Sequence, residues 1–341
     1  MSSQNTIPLD EVLRARTAVL EAVKEVEPCP DDLNEAWVDI ELKDGWKSRT
    51  VVVWPKSPAS TGLPLVVYFY GGGFMTGNPN MVLAPARGFA SLLQCMVACP
   101  SYKMAPEDLF PAPMHSSWEV CAWLSEPAHL NKGLLKNAKA KVDLDLGFVV
   151  GGVSAGGTIA AVLGGIMTAS ALLMSDILGD LPALKSPITG IFAGIPFFME
   201  EETVPDEFKA LFRSRKENDG PEAQLIRPMI STAKIDLHSP WCSPINLPVN
   251  KDDFAKHYPK RVFAYGCEKD PSRDDAVVYG EWLKNTMGVD IRQSMLPGEG
   301  HTAWVTPKWP TCHSKIIKET TLDGMAWALG KDWDKSKELP Y

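Results

Sequence analysis

The order of apolar segments predicts an α/β protein in which one mostly parallel sheet is covered by helices on both faces. Short apolar runs alternate with stretches of helical spacing from residue 64 onward, the rhythm that parallel pairing with crossover helices requires. The runs are apolar throughout, as strands buried on both faces are. The composition, 45% hydrophobic and 22% charged over 341 residues, supplies the side chains for a large core. Length alone permits two domains, but single-sheet α/β enzymes commonly run this long, so one domain over 1–341 is expected.

Leu9, Val12, Leu13, Val19, Leu20, Val23 and Val26 fall at helical spacing with Arg16 in the gap, which predicts an N-terminal helix over 9–26. Segments 36–42 and 48–53 alternate apolar and polar residues around Lys43-Asp44-Gly45 and read as an antiparallel hairpin. Further strands are expected at 64–69, 95–101, 147–151, 188–195, 261–265 and 290–295, with helices near 84–94, 114–125, 157–171, 273–287 and 313–329. Segment 200–239 breaks this rhythm: it is rich in charge, has no strong strand pattern and lies between Pro196 and Pro240. It reads as an insertion above the sheet that, with the N-terminal helix, forms a cap over the active site, the cap elements being approximately 1–34 and 196–242. Segment 146–175 carries no charge, yet glycines at 151, 152, 156 and 157 interrupt it. A buried strand and a buried helix are therefore expected there, not the run of about 20 apolar residues that spans a bilayer.

Acidic residues outnumber basic ones, 42 to 34, for a formal charge of −8, and no block of Lys and Arg occurs. This pattern argues against nucleic acid or an anionic membrane as partner. The N-terminus lacks the basic start and apolar stretch of a secretory signal, so a cytoplasmic protein is expected. Seven scattered cysteines without a CxxC pattern fit reduced thiols and give no metal site.

Gly152-Val153-Ser154-Ala155-Gly156 is a G-x-S-x-G placed after an apolar strand and before a helical stretch. A nucleophilic serine needs such a tight strand-to-helix turn, glycines two residues either side relieve its crowding, and the helix start turns N–H groups toward developing negative charge. Upstream, Tyr70-Gly71-Gly72-Gly73 ends another strand, and backbone without side chains there can aim N–H groups at an oxyanion. Gly71 and Gly72, joined by Ala155, are the candidate donors. The serine also needs a base and a carboxylate to orient that base, in the chain order Ser, Asp or Glu, His.

His301, in Pro297-Gly298-Glu299-Gly300-His301, leaves the last expected strand and is the candidate base, whereas His313 falls in a helix-like region. Asp270 follows the 261–265 strand and is the candidate acid. Its rivals Asp274 and Asp275 open the next helix, where carboxylates serve as caps or complement the dipole, and Glu268 is weaker. His115, His129, His238 and His257 have no ligand-spaced partners, so no metal is expected.

These residues resemble the hormone-sensitive-lipase-like group of α/β-hydrolases, which includes many carboxylesterases. The resemblance runs from Leu63 to the last helix through Tyr70-Gly71-Gly72-Gly73, Tyr102-Lys103-Met104-Ala105-Pro106-Glu107 with Phe110-Pro111, Gly152-Val153-Ser154-Ala155-Gly156-Gly157, Asp270-Pro271-Ser272-Arg273-Asp274 and Gly298-Glu299-Gly300-His301. It implies an α/β-hydrolase fold with an eight-stranded mostly parallel sheet, a cap, and ester hydrolysis through an acyl-enzyme without cofactor. Ser154, Asp270 and His301 fall on the family's triad. The chain departs from the family where Tyr70 replaces His, Val153 replaces Asp and Lys103 replaces Arg; Lys103 keeps a cation near Glu107 without the planar fork.

The expected function is therefore a serine carboxylic-ester hydrolase acting on a small or medium apolar ester. Tyr70, Phe74, Met75, Phe197, Phe198, Trp241 and Trp304 are candidate pocket residues. The alternatives are a specialised-metabolite enzyme on the same scaffold, performing acyl transfer, lactone opening, elimination or cyclisation, and a non-catalytic small-molecule receptor.

Overall fold

Strands that pair in parallel must be joined by crossovers, and after residue 64 this chain places at least one α-helix between each strand of its main sheet and the next. The computed structural model describes residues 6–304 and 315–337, with the side chain of residue 304 left out. Its main sheet holds eight strands: β1 (Leu33–Glu41), β2 (Lys47–Pro55), β4 (Leu65–Phe69), β5 (Met96–Pro100), β7 (Phe148–Val153), β8 (Gly190–Gly194), β9 (Arg261–Cys267) and β10 (Ile291–Leu296). Their spatial order is β1-β2-β5-β4-β7-β8-β9-β10. The first two strands form the expected hairpin, β2 runs antiparallel to β5, and every later pairing is parallel. Two short segments, β3 (Gly62–Leu63) and β6 (Lys141–Val142), form a small separate sheet that the sequence reading did not foresee.

The helices are α1 (Leu9–Ala22), α2 (Leu83–Leu93), α3 (Ala112–Leu124), α4 (Pro127–Lys132), α5 (Ala155–Ala171), α6 (Ser175–Leu178), α7 (Ser214–Glu217), α8 (Pro221–Ala233), α9 (Lys251–His257), α10 (Arg273–Glu281) and α11 (Lys315–Leu329). Helices α2 and α11 pack on each other and on the sheet, whereas α5 packs on β4, β7 and β8 with α3 and α9 beside it. Helix α5 is buried from Ala155 through Ala169, which explains its lack of charge. Among the described residues no helix is long and apolar enough to cross a membrane.

Two expectations change in detail. The N-terminal helix ends at Ala22 and continues only as a 3-10 turn, Val23–Glu25; Val12 is its one buried residue, and Leu9, Leu13 and Leu20 are exposed. The 273–287 helix is regular only to Glu281 and then widens into a π-helical segment, Trp282–Met287. Residues 313 and 314 of the last expected helix lie outside the described residues. The insertion contains no strand among its described residues, only 3-10 turns with α7 and α8.

Candidate active site

Ser154 sits where β7 turns into α5, with φ 53° and ψ −123°, a conformation that a non-glycine residue adopts only under strain. Its N–H donates to the Gly194 carbonyl (2.8 Å), fixing the turn to the neighbouring strand. A Cβ at Gly156 would fall on the backbone oxygen of Phe69, so only glycine lets α5 start this close to β4. The elbow therefore points the serine hydroxyl out of the carboxyl edge of the sheet while its backbone stays buried.

His301 lies in the loop after β10, and Asp270 in the loop after β9. These loops are tied together: Lys269 N–H donates to the Glu299 carbonyl (2.8 Å), and Gly298 N–H donates to the Glu268 carboxylate (2.7 Å). Glu268 is thus a loop brace, not the acid. The brace brings His301 between the other two residues. Ser154 Oγ is 2.8 Å from His301 Nε2, and His301 Nδ1 is 2.7 Å from Asp270 Oδ2. Asp270 is fully buried, and its other oxygen accepts the Ser272 N–H (2.6 Å), so the carboxylate cannot swing away from the imidazole. Burial disfavours the charged ring of His301, but the hydrogen bond and charge of Asp270, aided by Glu222 and opposed by Arg215, leave its pKa above the ordinary imidazole value.

The rival carboxylates act elsewhere. Asp274 accepts the N–H groups of Arg213 and Ser214 (2.6 Å each). Asp275 accepts those of Phe198 (2.7 Å) and Met199 (3.1 Å) and pairs with Arg215 (2.9 Å). Both hold the start of α10 against the insertion.

A cavity of about 370 Å³ opens over Ser154 and His301. Of the expected pocket residues, Phe74, Met75 and Phe197 line it. Tyr70, Phe198 and Trp241 do not, which corrects the sequence reading. Tyr70 is buried and stacked on Tyr102 (4.5 Å between centroids), whose hydroxyl donates to the Tyr70 carbonyl (3.1 Å). Phe198 packs on Tyr279 in the core. Trp241 is fixed by a bond from Nε1 to the Ile177 carbonyl (3.0 Å). The side chain of Trp304 lies outside the described residues.

The glycine loop also needs a correction. Gly72, Gly73 and Ala155 border the cavity, whereas Gly71 does not. The chain turns at Gly72 (φ 132°), where a Cβ would strike the Thr76 backbone oxygen, and this turn brings Gly73 instead of Gly71 to the cavity. Among the described residues, no acceptor takes the N–H of Gly72, Gly73 or Ala155. Lys103 differs from expectation as well: its ammonium pairs with Asp44 and lies 3.7 Å from Asp108, while Glu107 is held by Arg16 of α1 (2.7 Å).

The remaining wall was not foreseen. Leu225, Ile226 and Met229 of α8, together with Ile7, close the apolar side, and Glu222 and Thr302 border it near His301. The i, i+1, i+4 spacing of the α8 residues inside a charged segment was the available signal. Among the described residues no group of three His, Cys, Asp or Glu side chains could hold a metal ion.

Comparison with known proteins agrees with this fold. A family model described as alpha/beta hydrolase fold matches residues 66–305. Versiconal hemiacetal acetate esterase of Dothistroma septosporum is 28% identical over 276 residues, covering 79% of this chain and 74% of that protein. Esterase LipI of Mycobacterium tuberculosis is 29% identical over 269 residues, covering 76% and 72%. Among solved structures, vibralactone cyclase superposes with a TM-score of 0.73 at 22% identity over 97% of this chain and 91% of that one. An esterase of Pyrobaculum calidifontis gives 0.69 at 22% identity over 96% and 95%. At that identity the two structures speak for the fold.

Proposed function

This chain belongs to the α/β-hydrolase-fold family, in its esterase-like branch, and from that premise we propose that it is a serine carboxylic-ester hydrolase working through an acyl-enzyme. The observation that carries the reading is the unbroken chain of hydrogen bonds from Ser154 Oγ to His301 Nε2 (2.8 Å) and from His301 Nδ1 to Asp270 (2.7 Å). That arrangement speaks against a non-catalytic binding protein on this scaffold.

In the proposed mechanism the Ser154 hydroxyl attacks an ester carbonyl as His301 takes its proton, and Asp270 holds the ring and stabilises the imidazolium. The N–H groups of Gly72, Gly73 and Ala155 receive the oxyanion, worth about 3–4 kcal/mol for a well-placed donor. His301 then protonates the departing alcohol, and water repeats the sequence on the acyl-enzyme. The apolar wall of Ile7, Phe74, Met75, Leu225, Ile226 and Met229 favours an uncharged acyl chain of small or medium size. In this reading the N-terminal segment and α8 form the cap.

The test is hydrolysis of p-nitrophenyl esters of increasing acyl length by the wild type and Ser154→Ala, with mass spectrometry after a fluorophosphonate probe. The expected result is turnover and one labelled site, both lost in the variant, with the rate falling at least about a thousandfold. A folded wild type that neither turns over esters nor takes the probe overturns the reading.

A further inference from the structure

The cavity wall is apolar except close to His301, where a single carboxylate, Glu222, borders it among the described residues. Glu222 lies in the first turn of α8, where an acidic residue complements the helix dipole whatever it faces. Two further observations set it apart. Thr302, the residue after His301, donates from Oγ1 to Glu222 Oε1 (3.1 Å), which fixes the carboxylate beside the catalytic loop. Its second oxygen has no partner among the described residues, and no cation pairs with it there. An acceptor held at the edge of an apolar cavity with one oxygen unused is costly to leave unbonded once substrate excludes water.

The chemistry of the site says which half of a substrate meets it. His301 hands its proton to the leaving oxygen, so the alcohol half departs on the His301 side, where Thr302 and Glu222 stand. Resting on the esterase reading, we propose that Glu222 selects the alcohol half of the substrate, accepting a hydrogen bond from a hydroxyl group on it and repelling a carboxylate there. The preferred substrates are then monoacyl esters of a diol or polyol, with the acyl chain in the apolar pocket.

The proposal is tested with three butyrate esters that differ only in the alcohol: ethyl, 2-hydroxyethyl and 2-carboxyethyl. The wild type is expected to prefer 2-hydroxyethyl over ethyl by about tenfold in kcat/KM and to disfavour 2-carboxyethyl by at least about tenfold. Glu222→Ala brings both ratios close to one. Glu222→Gln, of the same shape, keeps part of the hydroxyl preference and loses the discrimination against the carboxylate. Loss of packing or a changed His301 slows all three esters together and leaves the ratios alone, so the ratios report selection.

The same esters are titrated calorimetrically into Ser154→Ala with and without Glu222→Ala, a readout that needs no turnover. If the wild type hydrolyses none of the esters but binding keeps the selectivity and loses it in the double variant, the esterase reading falls and the role of Glu222 stands. Ratios that Glu222→Ala leaves unmoved in either measurement overturn the role of Glu222, whatever the rate of ethyl butyrate.

Discussion

In the proposed mechanism the charge state of one ring decides whether Ser154 can lose its proton. His301 acts as base only when neutral, and its pKa lies above the ordinary imidazole value of 6.5 because Asp270 outweighs the burial of the ring. A raised pKa keeps the ring protonated to higher pH, so kcat/KM is expected to fall as pH drops through a midpoint above 6.5. Asp270→Asn removes the carboxylate charge and leaves burial to act, so the midpoint moves down while the rate falls by about 10⁴ through the wrong tautomer. Glu222→Gln should move it down by less, since Glu222 is the weaker of the two anions acting on the ring. A pH–rate profile of the three proteins checks both the sign and the order.

This part of the site was legible because Ser154, Asp270 and His301 each follow a strand in the order the chemistry requires. The oxyanion donors were less so. Choosing between Gly71 and Gly73 depends on where the chain turns at Gly72, and no residue type signals that turn. Its place beside the glycine loop makes Tyr70 a pocket candidate, whereas stacking on Tyr102 draws it into the core.

Two arginines join the secondary-structure elements around the site. Arg16 of α1 donates Nε to the Met75 carbonyl (2.7 Å) and Nη2 to the Ala105 carbonyl (2.7 Å), and forks onto Glu107 at 2.7 and 2.8 Å. Its place in the gap of the apolar spacing now has a reason: it fastens the helix to the loop that carries the candidate oxyanion donors. Arg16→Lys keeps the charge but not the fork, so both Arg16→Lys and Arg16→Ala are expected to lower kcat about tenfold. Because Glu107 is half exposed, the accompanying loss of stability stays near 1 kcal/mol. Steady-state kinetics beside a thermal melt separates the two effects.

Arg215, its side chain only 9% exposed, bridges Glu200 and Asp275 while donating to the Pro271 and Met199 carbonyls, which ties the insertion to α10 and to the Asp270 loop. Burial pushes Asp275 up to about 6 against the opposing pull of Arg215 and of two backbone N–H groups. Arg215→Met strands that carboxylate and should destabilise the fold by about 3–5 kcal/mol at neutral pH. Without Arg215 the folded Asp275 holds its proton to higher pH than in the wild type, so the penalty of the variant is full well above 6, shrinks as pH falls toward 6 and levels off once both proteins carry the proton. Urea melts of both proteins at about pH 8 and about pH 5 test that sign.

The strands of the main sheet were legible because continuous apolar runs have few other uses. The pair β3 and β6 was not, since two-residue strands carry no periodicity. The wall formed by α8 was hidden by the charge around it.

At the scale of the molecule the chain divides its work between a sheet that needs every apolar run and a cover that needs few. Cations fasten α11 to its neighbours: Lys331, just after it, donates to the Leu93 and Gln94 carbonyls at the end of α2 (2.8 Å each), and Arg261 of β9 and Arg292 of β10 stack over Trp327. These contacts are part of the scaffold. The N-terminal segment is different, because α1 buries only Val12, at 2% exposure, and the segment otherwise touches the site through Arg16 and through Ile7, whose N–H donates to Thr232 (2.7 Å) at the end of α8.

Removing residues 1–24 should therefore cost about 1.5–3 kcal/mol from the one buried side chain plus the screened Arg16 pair. The sheet stays folded, with Tm a few degrees lower. Yet the same truncation opens the wall at Ile7 and releases the Met75 carbonyl, so kcat/KM on a butyrate ester should fall at least about tenfold. Circular dichroism melts and ester kinetics on the truncated chain decide the matter. A truncated protein that fails to fold makes α1 part of the core. One that folds and keeps full activity removes the N-terminal segment from the site and leaves α8 to cover it alone.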